Sequence, residues 1–311
     1  MPDLKHAKTP EFDEVVAFLS ARYPDVAEVT LLKGGSWSSA FAFRAGAADF
    51  VVRFGQHVED YRKDELAASI CPATLRVPEV VSVGSALGGA FAVSRRVAGV
   101  PLDSLGPARF SAALADLFDV LDLLNEVELP GSGYGIWLGP GGDAPCHSWA
   151  DYLLSLAERD DDRLRGWRDG LRRADADGVF ARGCEVLERL VVRCPNVRGI
   201  VHSDLLNDNV LVGADNRVSG MLDWGCSLAG DPVYDIAWLA YCAPFVPALT
   251  EDGVTALALR RHGAADLAER MRCYGLHIGL GSMQYLAFAG DVVALTEARD
   301  RVERMLVATR P

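Results

Sequence analysis

The chain of 311 residues has no C-x-x-C pair, no internal repeat, no long uninterrupted apolar run and no stripe of basic residues. Each absence excludes something. Seven cysteines, at positions 71, 146, 184, 194, 226, 242 and 273, are an odd number without paired spacing, which argues against a zinc site or a secreted disulfide framework. They are expected as reduced, mostly buried thiols of a cytosolic protein. The opening MPDLKHAKTPEF lacks the apolar centre of a signal peptide. The most apolar late stretch, Tyr274 to Gly290, is interrupted by His277, Gln284 and glycines and is too short to span a bilayer, so it reads as a buried helix and no membrane is expected. With 31 Lys and Arg against 43 Asp and Glu, the net charge is −12. A nucleic-acid partner is thereby disfavoured, because a phosphate backbone would be repelled; a polycationic small molecule would be attracted, although composition alone favours the simpler reading that an acidic surface keeps the protein soluble.

What is present is ordinary for a soluble globular protein: 50% hydrophobic and 24% charged residues. A chain of this length buries roughly three quarters of its unfolded surface, enough for two lobes. Thr9 and Pro10 start a helix with Phe12, Val15, Val16 and Leu19 on one face. Strand-like runs follow at Val26 to Leu32, Ser38 to Ala45 and Phe50 to Phe54, then a polar helix from Glu59 to Ile70, then strands at Glu79 to Val83 and Ala90 to Val93. From Ala108 the periodicity is helical, with Phe110, Ala113, Leu114, Leu117, Phe118, Leu121 and Leu124 on one face. Gly131 to Gly142 reads as a long loop. The fold class is α+β: a small N-terminal antiparallel sheet lobe with one helix, residues 1–97, and a larger, mainly helical C-terminal lobe, residues 98–311. The join falls near Val97 to Pro101.

The chemistry is concentrated in IVHSDLLNDNVLVGADNRVSGMLDWG, from Ile200 to Gly225. Val210 to Val212 and Val218 to Leu222 are short apolar runs around a Gly-Ala-Asp-Asn turn, which predicts a hairpin. A hairpin returns its far end to its start, so Asp223 comes back beside Asn209 and Asp204. Two carboxylates and a carboxamide are an oxygen-only set suited to Mg²⁺, and phosphoryl transfer needs one carboxylate near the acceptor hydroxyl and a second on the metal. The order H-x-D-x-x-x-x-N followed by D-W-G resembles the kinase pattern, which implies that Asp204 accepts a proton from, or orients, the attacking hydroxyl and that Asn209 and Asp223 hold Mg²⁺. Upstream, KGGSWSSAF from Lys33 to Phe41 sits in a strand-turn-strand context whose backbone N–H groups can cover phosphates, although it is neither a Walker A sequence nor G-x-G-x-x-G.

The H-x-D-x-x-x-x-N and D-W-G elements, together with VRGIVHSDLLNDNVLV, LDWGCSLAGDPVYD and FAVSRRVAGVPL, resemble the aminoglycoside phosphotransferase family, and most of all its hygromycin B-modifying members. The resemblance covers nearly the whole chain and is specific from Val201 to Asp235. It implies a protein-kinase-like bilobal fold, ATP as donor with GTP left open, Mg²⁺, and a small cationic antibiotic as acceptor. It assigns Gly35, Ser36 and Ser38 to the triphosphate. Arg53 stands where the kinase pattern has a lysine, and arginine suits the task because its planar fork binds phosphate or carboxylate. Its partner on the next helix is Glu65, with Asp64 the alternative, since adjacent helical positions diverge by about 100°. Lys63 is within reach of the phosphates. The carbonyl of Arg95 and the N–H of Val97 are implied to hold adenine. His202 braces the catalytic loop, and Asp231 and Asp235, at the start of a helix, are structural caps. Asp160, Asp161 and Asp162 form a charge run that reads as a solvated face, with a cation-attracting rim as the alternative.

Two features favour a small acceptor over a protein. Ser203 stands where many regulated protein kinases carry an arginine, and the stretch from Asp223 to Ala229 leaves no room for a peptide platform. Other readings are a kinase of a different hydroxylated small molecule, such as a nucleoside antibiotic, an amino-sugar or choline, and a catalytically silent nucleotide-binding regulator suggested by Arg53. A metal hydrolase built on His202, Asp204 and Asp223 is a further alternative.

Overall fold

The computed structural model describes residues 10–32, 35, 37–138, 141–158, 162–262 and 266–307. Helix α1 (Phe12–Ser20) precedes strands β1 (Val26–Leu31), β2 (Ser38–Ala45) and β3 (Ala48–Gly55), helix α2 (Val58–Ile70), and strands β4 (Val80–Ala86), β5 (Gly89–Arg95) and β6 (Val100–Pro101). Then come α3 (Pro107–Leu124), β7 (Gly135–Ile136), α4 (Trp149–Leu154), α5 (Trp167–Arg173), α6 (Asp177–Leu190), and β8 (Gly199–Val201). The hairpin strands β9 (Val210–Val212) and β10 (Val218–Met221) lead to β11 (Leu228–Gly230) and the helices α7 (Val233–Cys242), α8 (Glu251–His262), α9 (Leu267–Ala289) and α10 (Val292–Val307).

The start of α1 is set by a reciprocal capping box: the Glu11 N–H donates to Glu14 Oε2 at 3.0 Å while the Glu11 carboxylate takes the N–H of Glu14. Thr9 lies outside the described residues. Val15 and Leu19 of the expected face are buried, but Phe12 is exposed and Val16 half-buried, and Phe18 completes the buried stripe. It packs on an antiparallel sheet of order β1-β2-β3-β5-β4. Alternation along the strands sends Phe41, Phe43, Phe50, Val52, Phe54, Phe91 and Val93 into one core with α1. The same alternation turns Arg53 to the other face, where Tyr61 of α2 packs with Ala90 and Ala92. Arg53 is flanked in register by Ala40 and Ala92, whose small side chains leave room for a guanidinium.

A second antiparallel sheet has the order β10-β9-β6. The segment expected to link two lobes is thus its third strand, with Val100 opposite Val212 and Pro101 opposite Leu211. Ser219 Oγ donates to the Ala98 carbonyl at 2.7 Å. The loop after α2 covers the outer edge of β10: Met221 N–H donates to the Arg76 carbonyl at 3.2 Å, and Arg76 Nη1 to the Val218 carbonyl at 3.1 Å.

Compactness divides the chain into two units, one of residues 1–131, 137–143 and 204–227, the other of 132–136, 144–203 and 228–311. The expected cut after residue 97 does not coincide with this division, because β6 and α2 tie the hairpin to the first sheet's unit. In the second unit, a short sheet β7-β11-β8 accompanies a helical bundle in which α9 touches α5, α6, α7 and α10. Gly170 and Gly183 permit the close approach of α5 and α6 to α9: a Cβ at the first would overlap the Ala287 carbonyl, and one at the second would sit 2.6 Å from Leu280 Cδ2. None of the seven cysteines is in a disulfide, but only Cys273 is fully buried; Cys226 is exposed and the others are half-buried, a correction to the expectation of mostly buried thiols. Among the described residues no helix is long and apolar enough to cross a membrane.

The second unit's main buried charge is Asp231, with 0% exposure. Its carboxylate takes Arg270 as a fork, Nε at 2.8 Å and Nη2 at 2.5 Å, together with Tyr274 OH at 2.5 Å and the Val233 N–H at 3.1 Å. The bond from Val233 makes it a cap of α7, and the fork ties that cap to α9. Replacing one partner of such a pair strands the other, at a cost of about 3–5 kcal/mol. Asp231→Ala is therefore expected to lower the unfolding free energy by about that amount in urea titrations, with Arg270→Met less damaging because it leaves Asp231 its Tyr274 and Val233 donors.

Candidate active site

The loop expected to be catalytic begins where β8 ends. His202 is fully buried, at 0% exposure, and its backbone N–H donates to Asp235 Oδ2 at 2.8 Å. The next N–H, of Ser203, donates to Asp235 Oδ1 at 2.7 Å. Asp235 therefore does not cap α7, as the sequence suggested; its carboxylate reaches from the first turn of that helix to grip two successive N–H groups of the loop. The grip matters because Ser203 has φ 60°, a left-handed conformation that costs a non-glycine residue roughly 1–2 kcal/mol.

Asp204 follows, with its carboxylate held by two carboxamides. Asn207 Nδ2 donates to Oδ1 at 2.8 Å, and Asn209 Nδ2 donates to Oδ2 at 2.9 Å and to the Asp204 carbonyl, also at 2.9 Å. The Asp204 carbonyl can only accept, so it dictates which end of the Asn209 amide is nitrogen and turns its Oδ1 away from Asp204. Burial pushes the Asp204 carboxyl up to about 7; the charge of Asp223 adds to the rise, and the bonds from Asn207 and Asn209 oppose it. A carboxyl ionising near neutrality is suited to proton transfer. Asn207 was not singled out by sequence. The available signal was the Asn207-Asp208 pair itself, since both residues have positive φ (61° and 70°), a conformation that Asn and Asp tolerate best after glycine.

The hairpin closes as predicted by its turn residues. Val212 pairs with Val218 and Val210 with Met221, and the Leu222 N–H donates to the Asn209 carbonyl at 2.8 Å. Asp223 is the next residue. It has φ 58° and ψ 73°, again left-handed, and begins a single helical turn, Trp224–Cys226. The Arg53 guanidinium lies between two acids, paired with Asp64 through Nη2 and 3.2 Å from Asp223 Oδ1 through Nη1, with Tyr61 stacked at 5.1 Å. Burial works against the Arg53 charge, but the fields of Asp64 and Asp223 outweigh it and hold the cation firmly protonated.

This corrects the preferred partner of Arg53. Glu65 points elsewhere on α2 and pairs with Arg62 at 2.6 Å, both half-exposed, so Asp64 has the role. Burial pushes the Asp64 carboxyl up to about 6, and Arg53 opposes the rise. Asp64 Oδ1 also takes the Trp224 N–H at 2.9 Å. Lys63 is turned inward and not toward a phosphate: it is 2% exposed and donates to the Gly225 carbonyl at 2.5 Å.

The remaining sites expected for the nucleotide are less informative. Gly35 is exposed, with nothing within 4 Å of where its Cβ would stand, and Ser38 opens β2 opposite Gly55. Ser36, Lys33 and Gly34 lie outside the described residues, as do Asp160 and Asp161. Arg95 pairs through its N–H with the Glu79 carbonyl at 2.9 Å and lays its guanidinium on Phe50. Val97 packs over β10, where a Cβ on Gly220 would come to 3.0 Å from Val97 Cγ1. Among the described residues there is no cluster of three or more His, Cys, Asp or Glu arranged to hold a metal, which disfavours a hydrolytic metal centre on His202. Asn209 Oδ1 and the Asp223 carboxylate are the oxygen donors that remain to meet a hard cation.

Comparison with known proteins bears on the family and the fold. Residues 28–271 match the model of the phosphotransferase enzyme family. The chain is 28% identical to hygromycin-B 4-O-kinase of Escherichia coli over 307 residues, 96% of this chain and 87% of that one. Crystal structures of aminoglycoside phosphotransferase APH(4)-Ia superpose with a TM-score of 0.84 at 25% identity, covering 97% of this chain and all of that one. A thermostable mutant of that enzyme, in ternary complex with AMP-PNP and hygromycin B, gives a TM-score of 0.85 at 26% identity, covering 95% and 98%. A more distant relative, aminoglycoside 2'-phosphotransferase-IIIa with GDP, has the same kinase-like fold at a TM-score of 0.67 and 17% identity, covering 97% of this chain and all of that one. A left-handed aspartate closing a hairpin, a buried carboxyl tuned by two amides and a cation locked between acids are thus placed in a chain that belongs to the phosphotransferase enzyme family.

Proposed function

We propose that the protein is an ATP-dependent O-phosphotransferase that places the γ-phosphate on a hydroxyl of an aminoglycoside or aminocyclitol antibiotic of the hygromycin B kind, and so confers resistance. The observation that carries this reading is the Asp204 carboxyl, held by Asn207 and Asn209 next to Asp223, in a chain that is 28% identical over nearly its whole length to a hygromycin-B kinase. In such a reaction the protein contributes mostly positioning and charge neutralisation. Asp204 accepts the acceptor's hydroxyl proton as the O–P bond forms, and ADP leaves. Arg53 is the cation for the α- and β-phosphates, kept in place by Asp64. Asn209 and Asp223 would hold Mg²⁺, which neutralises phosphate charge when bound. The five-stranded sheet unit carries the nucleotide side of the site. An excess of 12 negative charges draws in an ammonium-rich acceptor, an effect that weakens with salt. A cytosolic location fits seven cysteines outside any disulfide and the use of ATP.

Transfer of radiolabelled γ-phosphate from ATP, and in parallel from GTP, to a panel of antibiotics tests the substrate class. Hygromycin B is expected to be labelled, with growth protection of a sensitive host; labelling only of a nucleoside antibiotic, an amino-sugar or choline would transfer the chemistry to another acceptor. Asp204→Asn is expected to lower kcat by about 10²- to 10⁴-fold. In the parent, kcat/KM should fall as pH drops through about 7, because the base must be ionised and its carboxyl is raised to about that value. The same shift works against stability. Between the ordinary 3.8 and about 7 the unfolded chain has released a proton that the folded chain keeps, so Asp204 lowers stability as pH rises through that window. The Asn variant is therefore expected to melt higher than the parent at pH 8, with the gap closing toward pH 4. Arg53's partner is separable by kinetics: Asp64→Ala should cut kcat/KM at least tenfold, while Glu65→Ala, which loses only a half-exposed pair, should stay within about 0.5 kcal/mol of the parent in stability and near it in rate.

A further inference from the structure

Helix α2 meets the Asp223-Trp224-Gly225 turn through two consecutive side chains that do opposite things. Asp64 accepts the N–H of Trp224 at 2.9 Å, and Lys63 Nζ donates to the carbonyl of Gly225 at 2.5 Å. The turn is thus held at its donor end and its acceptor end by one helical dipeptide. Lys63 lies 3.6 Å from Asp60 Oδ1, one turn earlier on α2, which supplies its countercharge. An ammonium at 2% exposure that spends its protons on a carbonyl and a carboxylate is not placed to receive a phosphate. Buried charge is kept only where its bonds are made, so so deep a lysine points to something it must hold.

What it holds is strained. Asp223 is left-handed at φ 58°, a conformation that persists in a non-glycine residue only when the surroundings impose it. The backbone of Gly225 is pressed against α2 so closely that a Cβ there would be 3.2 Å from both Asp60 Cβ and Asp223 Oδ1. We propose that Lys63 is a positioning residue for Asp223: with Asp60 as countercharge, it pins the Gly225 carbonyl and so fixes the direction in which the Asp223 carboxylate presents itself to a nucleotide-bound divalent cation. The inference deepens the functional reading above and rests on Asp223 as the cation's ligand. Arg53 and Lys63 then divide two tasks, the first facing phosphate and Asp223's side chain, the second acting on Asp223 through its backbone.

The test is binding of the non-hydrolysable ATP analogue AMP-PNP by calorimetry, with saturating Mg²⁺ and again with EDTA, in the parent and in Lys63→Met. The variant is expected to bind the Mg²⁺-loaded analogue about tenfold more weakly or worse, and the metal-free analogue within twofold of the parent. Equal weakening in both buffers would make Lys63 a phosphate contact and overturn the proposal, as would no change in either. Should Lys63→Met lack a cooperative melt, Asp60→Asn, which removes the partly exposed countercharge, takes the same two titrations with about a threefold Mg²⁺-dependent loss expected and the same overturning outcomes. A parent that binds the analogue no better with Mg²⁺ than without it would sink the assignment of Asp223 itself. A Mg²⁺-dependent parent with a Mg²⁺-independent loss in the variant would sink only the role of Lys63.

Discussion

The bond from the Leu222 N–H to the Asn209 carbonyl, 2.8 Å long, extends the β9–β10 pairing one step past its last strand residue, and the site depends on that step. Without it Asp223 would be the first residue of a departing loop; with it, the residue that contacts Arg53 is fixed beside the residue that holds Asp204. The hairpin is not self-sufficient, since a two-stranded ribbon is marginal in water. It is supported on one side by β6 and on the other by the backbone and guanidinium of Arg76. These supports are remote from any reacting atom, yet a shift in the hairpin would displace a carboxylate by the whole of that shift.

Asp64, Asp204 and Asp223 are close enough that each raises or is raised by another's ionisation. Such a group is costly to fold and is compensated piecemeal. Arg53 neutralises two of the three acids, and the third is stabilised by amide donors without a formal charge. The distinction is chemical. At Asp64 a formal cation opposes the rise that burial imposes and at Asp204 neutral amides do, and the higher of the two values, about 7, belongs to the group without a countercharge. Backbone strain follows the same geography, for Ser203, Asn207, Asp208 and Asp223 all have positive φ in a short span around the acids.

Much of this was legible in the chain. The hairpin followed from two β-branched runs around a Gly-Ala-Asp-Asn turn, and the sheet lobe from alternation that its phenylalanines obey in the folded protein. What could not be read was rotational. Glu65 and Asp64 differ by about 100° around α2, and no periodicity in so polar a helix says which faces the sheet. Lys63 was misjudged for the same reason, its length suggesting reach toward phosphate when its helical position sends it inward. The roles of Asp235 and β6 were hidden because both depend on segments far apart in sequence. An acid in the first turn of a helix reads as a cap unless the loop it grips is already known. A Val-Pro dipeptide reads as a linker unless its partner strand is in place.

The substitution of arginine for the expected lysine at position 53 is explained by its two acidic neighbours and by the lysine next door on α2. A lysine carries its three donors on a single nitrogen, so two carboxylates paired with it must converge on one point. The guanidinium presents separate nitrogens in a plane, so Nη2 can stay on Asp64 while Nη1 faces Asp223. Arginine is also longer than lysine and aspartate shorter than glutamate, so an Arg-Asp pair spans a sheet-to-helix gap similar to that of a Lys-Glu pair. With the flexible ammonium relocated to Lys63 and buried against the turn backbone, both cations of the site are bound to one face of α2 and its neighbouring strand. A displacement of α2 therefore moves the phosphate-facing charge and the backbone of Asp223 together, and this makes the helix, more than either side chain, the element that sets the site's geometry.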